Sequence, residues 1–105
     1  MPQINLKQPS QPVADFSVSG ALVTVAGVTV DCAARQLDTS VTIEIRSSAG
    51  RAHEGGDGAY LAQIEIPVRR YTELETTDQD SKLVIRRDAV ALDPNAVAIT
   101  LWPIV

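Results

Sequence analysis

The residues most able to do chemistry lie close together: His53, Glu54 and Asp57 fall within five positions. One imidazole and two carboxylates are metal-ligand types, but structural zinc takes four ligands, mostly thiolate or imidazole. The surrounding stretch, SSAGRAHEGGDG at 47–58, holds four of the six glycines and almost no large apolar group. That composition predicts a long, mobile, solvated loop, and a catalytic centre needs rigid placement. His53 is also the only histidine, so a Ser–His–Asp triad would have to use it. None of the serines (10, 17, 19, 40, 47, 48 and 81) sits on a strand-to-helix elbow. Asp78, Asp80 and Ser81 have a D-x-D-S look, yet the sixth position of such a calcium loop, where glycine is required, is Leu83. Asp and Ser here read as turn formers. Gly55, Gly56 and Gly58 precede a strand pattern, not a helix whose N-terminus would bind phosphate. Cys32 falls in line with Val28 and Val30 at period two and reads as a small core residue. These residues therefore predict a non-enzymatic chain with no catalytic, cofactor-binding or metal site.

The remaining candidates are binding residues. Arg69, Arg70 and Tyr71 follow Pro67–Val68, and Arg and Tyr are typical interface anchors. Adjacent residues on a strand face opposite sides, so Arg69 and Arg70 cannot be buried together. The competing reading is a solvated strand end. Trp102, in the closing segment LWPIV, is expected either to pack into the core or to meet a partner.

What must position these residues is one domain. A chain of 105 residues has that size, and 45% apolar content suffices for one core. With aromatics at only 4%, namely Phe16, Tyr60, Tyr71 and Trp102, the core must be aliphatic. Thirteen acids against nine bases leave a net charge of −4, which repels phosphate backbones and anionic membranes. Neither nucleic acid nor membrane is an expected partner. A lone cysteine fits a reducing compartment, and the N-terminal segment has no basic-then-apolar signal pattern, so a cytoplasmic location is expected.

Val, Ile and Thr number 12, 8 and 8, and no segment shows three turns of helical periodicity. Residues 1–12 carry three prolines and predict a flexible N-terminal arm, loose or docked on a neighbouring subunit, ahead of a β domain at 13–105. Alternation over 16–32, broken at Ser19–Gly20 and Ala26–Gly27, reads as a meander. Residues 41–46 and 60–68 alternate most cleanly and are expected to form a long-looped hairpin around the glycine loop. ETTDQDSK at 75–82 reads as a turn, followed by strands at 83–87 and 97–102. The expected fold is an all-β, single antiparallel β-sandwich or small barrel of about seven strands, with Ile43, Ile45, Ile64 and Ile66 turned inward.

Three segments, FSVSGALVTVAGVTVD at 16–31, YLAQIEIPVRRY at 60–71 and the closing AITLWPIV, resemble short accessory proteins encoded among prophage tail and tail-fibre genes. The resemblance implies a tail-associated or virion-assembly role, with other protein subunits as partners, and brings no catalytic residues. Together these readings predict a structural or interaction module that forms homo-oligomers. The alternative is a small carbohydrate- or ligand-binding β domain that uses Tyr60, Tyr71 or Trp102.

Overall fold

The computed structural model describes residues 2–77 and 79–103. In chain order its elements are β1 (Gln3–Leu6), β2 (Phe16–Ser19), β3 (Leu22–Val25), β4 (Val28–Asp31), α1 (Cys32–Arg35), β5 (Val41–Ser48), β6 (Arg51–Glu54), β7 (Ala59–Ile66), β8 (Tyr71–Thr77), β9 (Leu83–Ala89), a 3-10 turn (Pro94–Ala96) and β10 (Ala98–Leu101). The protein is mostly β, but it is not the seven-stranded sandwich or barrel expected. Among the described residues ten strands form three sheets: β1-β10-β7-β5-β6, β2-β3-β4 and β8-β9.

The five-stranded sheet is organised by the two best-patterned segments. β5 and β7 pair antiparallel with Val41 opposite Ile66 and Ile43 opposite Ile64, and Ile99 of β10 faces Ile64 from the other side. Branched aliphatics in facing register suit a pleated, half-buried surface. Ile43, Ile45, Ile64 and Ile66 are all 4% exposed or less, as the period-two pattern requires. The three-stranded meander adds Val23, Val25 and Val30 to the same cluster, joined by Cys32 at the start of α1. The two sheets thus share one aliphatic core. Asp31 begins α1 by accepting a hydrogen bond from the Ala34 amide (3.2 Å), and this short helix takes Cys32 out of the strand alternation expected to run through it.

Two Ala-Gly dipeptides make the tight turns. Ala26 and Gly27 have φ of 49° and 85°, and Ala49 and Gly50 have 53° and 78°. Positive φ at both central residues is the type I′ condition, which matches strand twist. The second turn corrects the expectation of a mobile loop at 47–58. Ser47 and Ser48 extend β5, and Arg51–Glu54 folds back on it as edge strand β6. Gly58 packs so closely that an added Cβ would lie 2.2 Å from the Ser47 carbonyl oxygen.

The expected N-terminal arm also contributes a strand. β1 runs parallel to β10, with the Gln3 amide donating to Val97 O and the Lys7 amide to Leu101 O. Residues 75–77, read as part of a turn, belong to β8, whose register with β9 runs without a break from Tyr71–Ala89 to Thr77–Leu83. This hairpin leaves the body of the molecule, which measures 66 × 26 × 19 Å. Its radius of gyration is 18.2 Å, against about 13 Å for a compact chain of this length. No helix among the described residues is long and apolar enough to cross a membrane.

Burial separates two classes of apolar residue, and denaturant unfolding should report the difference. Ile64→Ala, at a position with no exposure, is expected to cost about 2–5 kcal/mol. Leu83→Ala, where 68% of the residue is exposed, should stay within about 0.5 kcal/mol of the unmodified chain in its monomeric form.

Candidate functional site

The arm formed by β8 and β9 is held at its root by side chains from two segments that run past each other. The buried Gln36, 6% exposed, donates through Nε2 to Pro67 O (3.2 Å). Arg69 returns a hydrogen bond from Nη2 to Gln36 O (2.7 Å), and its amide donates to Leu37 O (2.8 Å). The Tyr71 hydroxyl donates to Asp38, and the Val90 amide donates to Arg70 O (2.9 Å). These bonds tie 36–38 to 67–71 and set the direction in which the arm leaves. Of the expected interface residues, Arg69 and Tyr71 are therefore root clamps. Arg70 stays exposed beside a cavity of about 390 Å³, which is lined also by Val68, Val90, Leu92 and Asp93.

Along the arm, paired residues share a face. One face carries Tyr71, Glu73, Glu75, Thr77, Leu83, Ile85 and Arg87; the other carries Thr72, Leu74, Val84, Arg86 and Asp88. Near the root the charges are matched: Arg87 lies 3.7 Å from Glu73 and 4.7 Å from the Tyr71 ring centre, and Arg86 lies 3.1 Å from Asp88. Toward the tip the apolar side chains stand in solvent, with Leu74, Leu83 and Ile85 exposed by 59, 68 and 57%.

Trp102 belongs to a different place. Its amide donates to Leu61 O (3.0 Å), near the start of β7, whereas Arg69–Tyr71 follow that strand's end. Leu61 is the extra residue of a β-bulge: Ile45 faces Ala62, while the next residue, Arg46, faces Tyr60. The bulge turns Tyr60 to the outer face of the sheet, where it stacks on Trp102 with ring centres 5.0 Å apart and planes 22° from parallel. Arg46 places its guanidinium carbon 3.9 Å from the Tyr60 ring centre, and the Tyr60 hydroxyl donates to Glu44 (3.2 Å). Lys7 sits 5.4 Å from the Trp102 ring. Trp102 is thus neither in the core nor beside the arm. A sugar stacks on a ring face open to solvent, and here the two rings cover each other. Ile104, Val105 and Asp78, parts of the apolar C-terminus and the D-x-D-S segment read from the sequence, lie outside the described residues.

The titratable candidates separate as well. His53 sits on β6 opposite Arg46, while Glu54 pairs with Arg35 of α1 (2.5 Å), joining the smaller sheet to the edge of the larger. Among the described residues no three His, Cys, Asp or Glu side chains stand together as a metal site would need. Burial pushes the Cys32 thiol above its ordinary range, and the neighbouring charge of Asp31 adds to this against a smaller opposing effect of Arg35. A thiol so placed is a poor nucleophile. Sequence reasoning missed the arm because β8 has no buried face to give it an apolar period; its only signal was the Thr content of 72–77.

Comparison with known protein families, curated proteins and solved structures finds no match for this chain.

Two measurements check this description. Cys32 should react slowly with an aromatic disulfide reagent in the folded protein and at the rate of a free thiol in denaturant. The Arg35 hydrogen bond, followed by its charge, holds the Glu54 carboxyl below its usual range. The bridge therefore stabilises the fold above the unfolded value of about 4.3 and is lost as pH falls through the lower folded value. Glu54→Gln should accordingly show a smaller drop in Tm between neutral pH and pH about 3 than the unmodified chain.

Proposed function

We propose that this chain is a non-enzymatic assembly module whose β8–β9 arm joins it to other protein subunits, in the setting of a phage-tail structure. The observation that carries the reading is the arm itself. Every described residue of β9 is exposed, and β8 is half-buried only at Tyr71. A two-stranded hairpin alone in water is marginal at best. This one also presents Leu74, Leu83, Val84 and Ile85 to solvent at 40–68% exposure. Exposed apolar side chains grouped on one projecting element mark an interaction surface. Both long edges of the arm are unpaired among the described strands, so its backbone amides and carbonyls are open to a further strand.

The setting rests on the likeness of 16–31, 60–71 and the closing segment to prophage tail-region proteins. The mode of action rests on the arm, which suits assembly better than catalysis. Its root is clamped, its outer half exposes Leu83, Val84 and Ile85, and the site residues the sequence offered for chemistry are either dispersed or already paired. The partner is another subunit of the same chain.

Sedimentation velocity over a wide concentration range tests this reading. The unmodified chain should gain mass as concentration rises, and Leu83→Ser combined with Ile85→Ser should hold it monomeric with an unchanged circular dichroism spectrum. A chain that stays monomeric at high concentration overturns the proposal.

A further inference from the structure

The arm's tip and the cavity at its root are complementary, and no arm can fill the cavity of its own molecule. The tip face carries Leu83 and Ile85, with Glu75 directly opposite Ile85 in the register. The Glu75 carboxylate makes no hydrogen bond or ion pair with another described residue, unlike that of Glu73, which meets Arg87 one step closer to the root. The cavity offers the reverse arrangement. Val68, Val90 and Leu92 supply apolar wall, the Asp93 carboxylate in the lining accepts from the Asn95 amide (3.0 Å), and Arg70 stands at the mouth with a guanidinium that meets no described partner. Arg70 and Val90 are the residues at which the arm leaves the body. Seven residues of extended strand place the tip roughly 23 Å from that point. The pairing of β8 and β9 is continuous, with no bulge at which the arm would bend back.

We infer that the tip of one copy seats in the root cavity of the next, with Leu83 and Ile85 against Val68, Val90 and Leu92 and with Glu75 paired to Arg70. This rests on the assembly reading above and deepens it by naming the receiving surface. The donor patch and the receiving patch are different parts of the chain, so each copy gives one arm and receives one. Two copies can satisfy both patches across a two-fold axis, each tip at the other's root; otherwise the contacts close into a larger ring or continue as a filament. One face of the arm covers only about 23 by 10 Å, less than the roughly 800 Å² per partner of a stable pair. Two contacts per copy are what hold the assembly together, so a pair joined by one contact alone is sparsely populated.

A charge reversal across the contact tests this. Both residues are exposed and distant from the core, so the variants should keep the circular dichroism spectrum of the unmodified chain. Glu75→Arg and Arg70→Glu alone should each raise the concentration needed for half-assembly by about tenfold or more, because each places like charges in a desolvated contact. The combined variant should recover most of that loss. Sedimentation should show assembled species, a two-fold dimer or larger, in the unmodified chain and in the double variant. Assembly that falls with the Leu83 and Ile85 substitutions but ignores both reversals overturns the root cavity as receiver and leaves the arm reading standing. Two single losses without recovery in the double variant also overturn the pairing.

Discussion

The structure depends on a row of branched aliphatics meeting across three neighbouring strands. Ile99, Ile64 and Ile43 lie side by side on β10, β7 and β5, with Ile45, Ile66 and Leu101 flanking them, all within 4% exposure. Each such side chain contributes about 1.5–3 kcal/mol when removed from water. The row gives the five-stranded sheet one dry face, and the meander of β2, β3 and β4 can cover it because Val23, Val25 and Val30 repeat the same period. A one-residue slip would send every one of these side chains to the wet face, so register is strongly specified. With so few aromatics, the core has no large ring to absorb a misfit, and close packing of branched side chains must serve instead.

From that dry face the placement of everything polar follows. Residues between the isoleucines point outward, which sets Glu44 and Arg46 on the solvent side of β5. The bulge at Leu61 then swings Tyr60 to join them. The Tyr60–Trp102 stack and its cations form a patch closed on itself, with ring faces covered and the hydroxyl already bonded to Glu44. The arm is the opposite case. Past Arg87 and Glu73, the side chains of Leu83, Ile85 and Glu75 face solvent, so the free energy of this part of the arm is governed by what it meets.

How much could be read from the sequence depended on burial. The strands at 41–46 and 60–66 were legible because one face of each is dry and the alternation is consequently strict. β7 stops at Ile66, short of the 60–68 alternation, because Pro67 cannot donate to a ladder. Edge elements were not legible. β1 holds a single half-buried apolar residue, Ile4, and β6 reads as polar loop because its outer side faces water. Ala49–Gly50 is the same dipeptide as Ala26–Gly27 and makes the same turn, yet only the first was flanked by valines that advertised strands. β8 was hidden most fully. With both faces wet there is no period, and ETT carries a strand only by intrinsic preference. Among the binding candidates, proximity in sequence succeeded for Arg69–Tyr71 at the arm's root, whereas Trp102 was grouped with them on residue type alone and lies by the far end of β7.

An unpaired hairpin with exposed leucine and isoleucine is a hazard as well as a tool, because open edges invite indiscriminate pairing. The distribution of charge along this arm bears on that hazard. Arg86–Asp88 and Arg87–Glu73 straddle both faces of its root half, where salt bridges add little stability but place desolvation penalties in the way of a foreign strand. The apolar side chains are displaced to the outer half and interrupted by Glu75, whose carboxylate would be buried unpaired against any surface lacking a cation. Selection against wrong partners is thus built into the same face that offers the attraction. A concave surface with an apolar wall and a free guanidinium at its edge satisfies both requirements at once, and the root of the arm offers one, its Asp93 carboxylate being already engaged by the Asn95 amide.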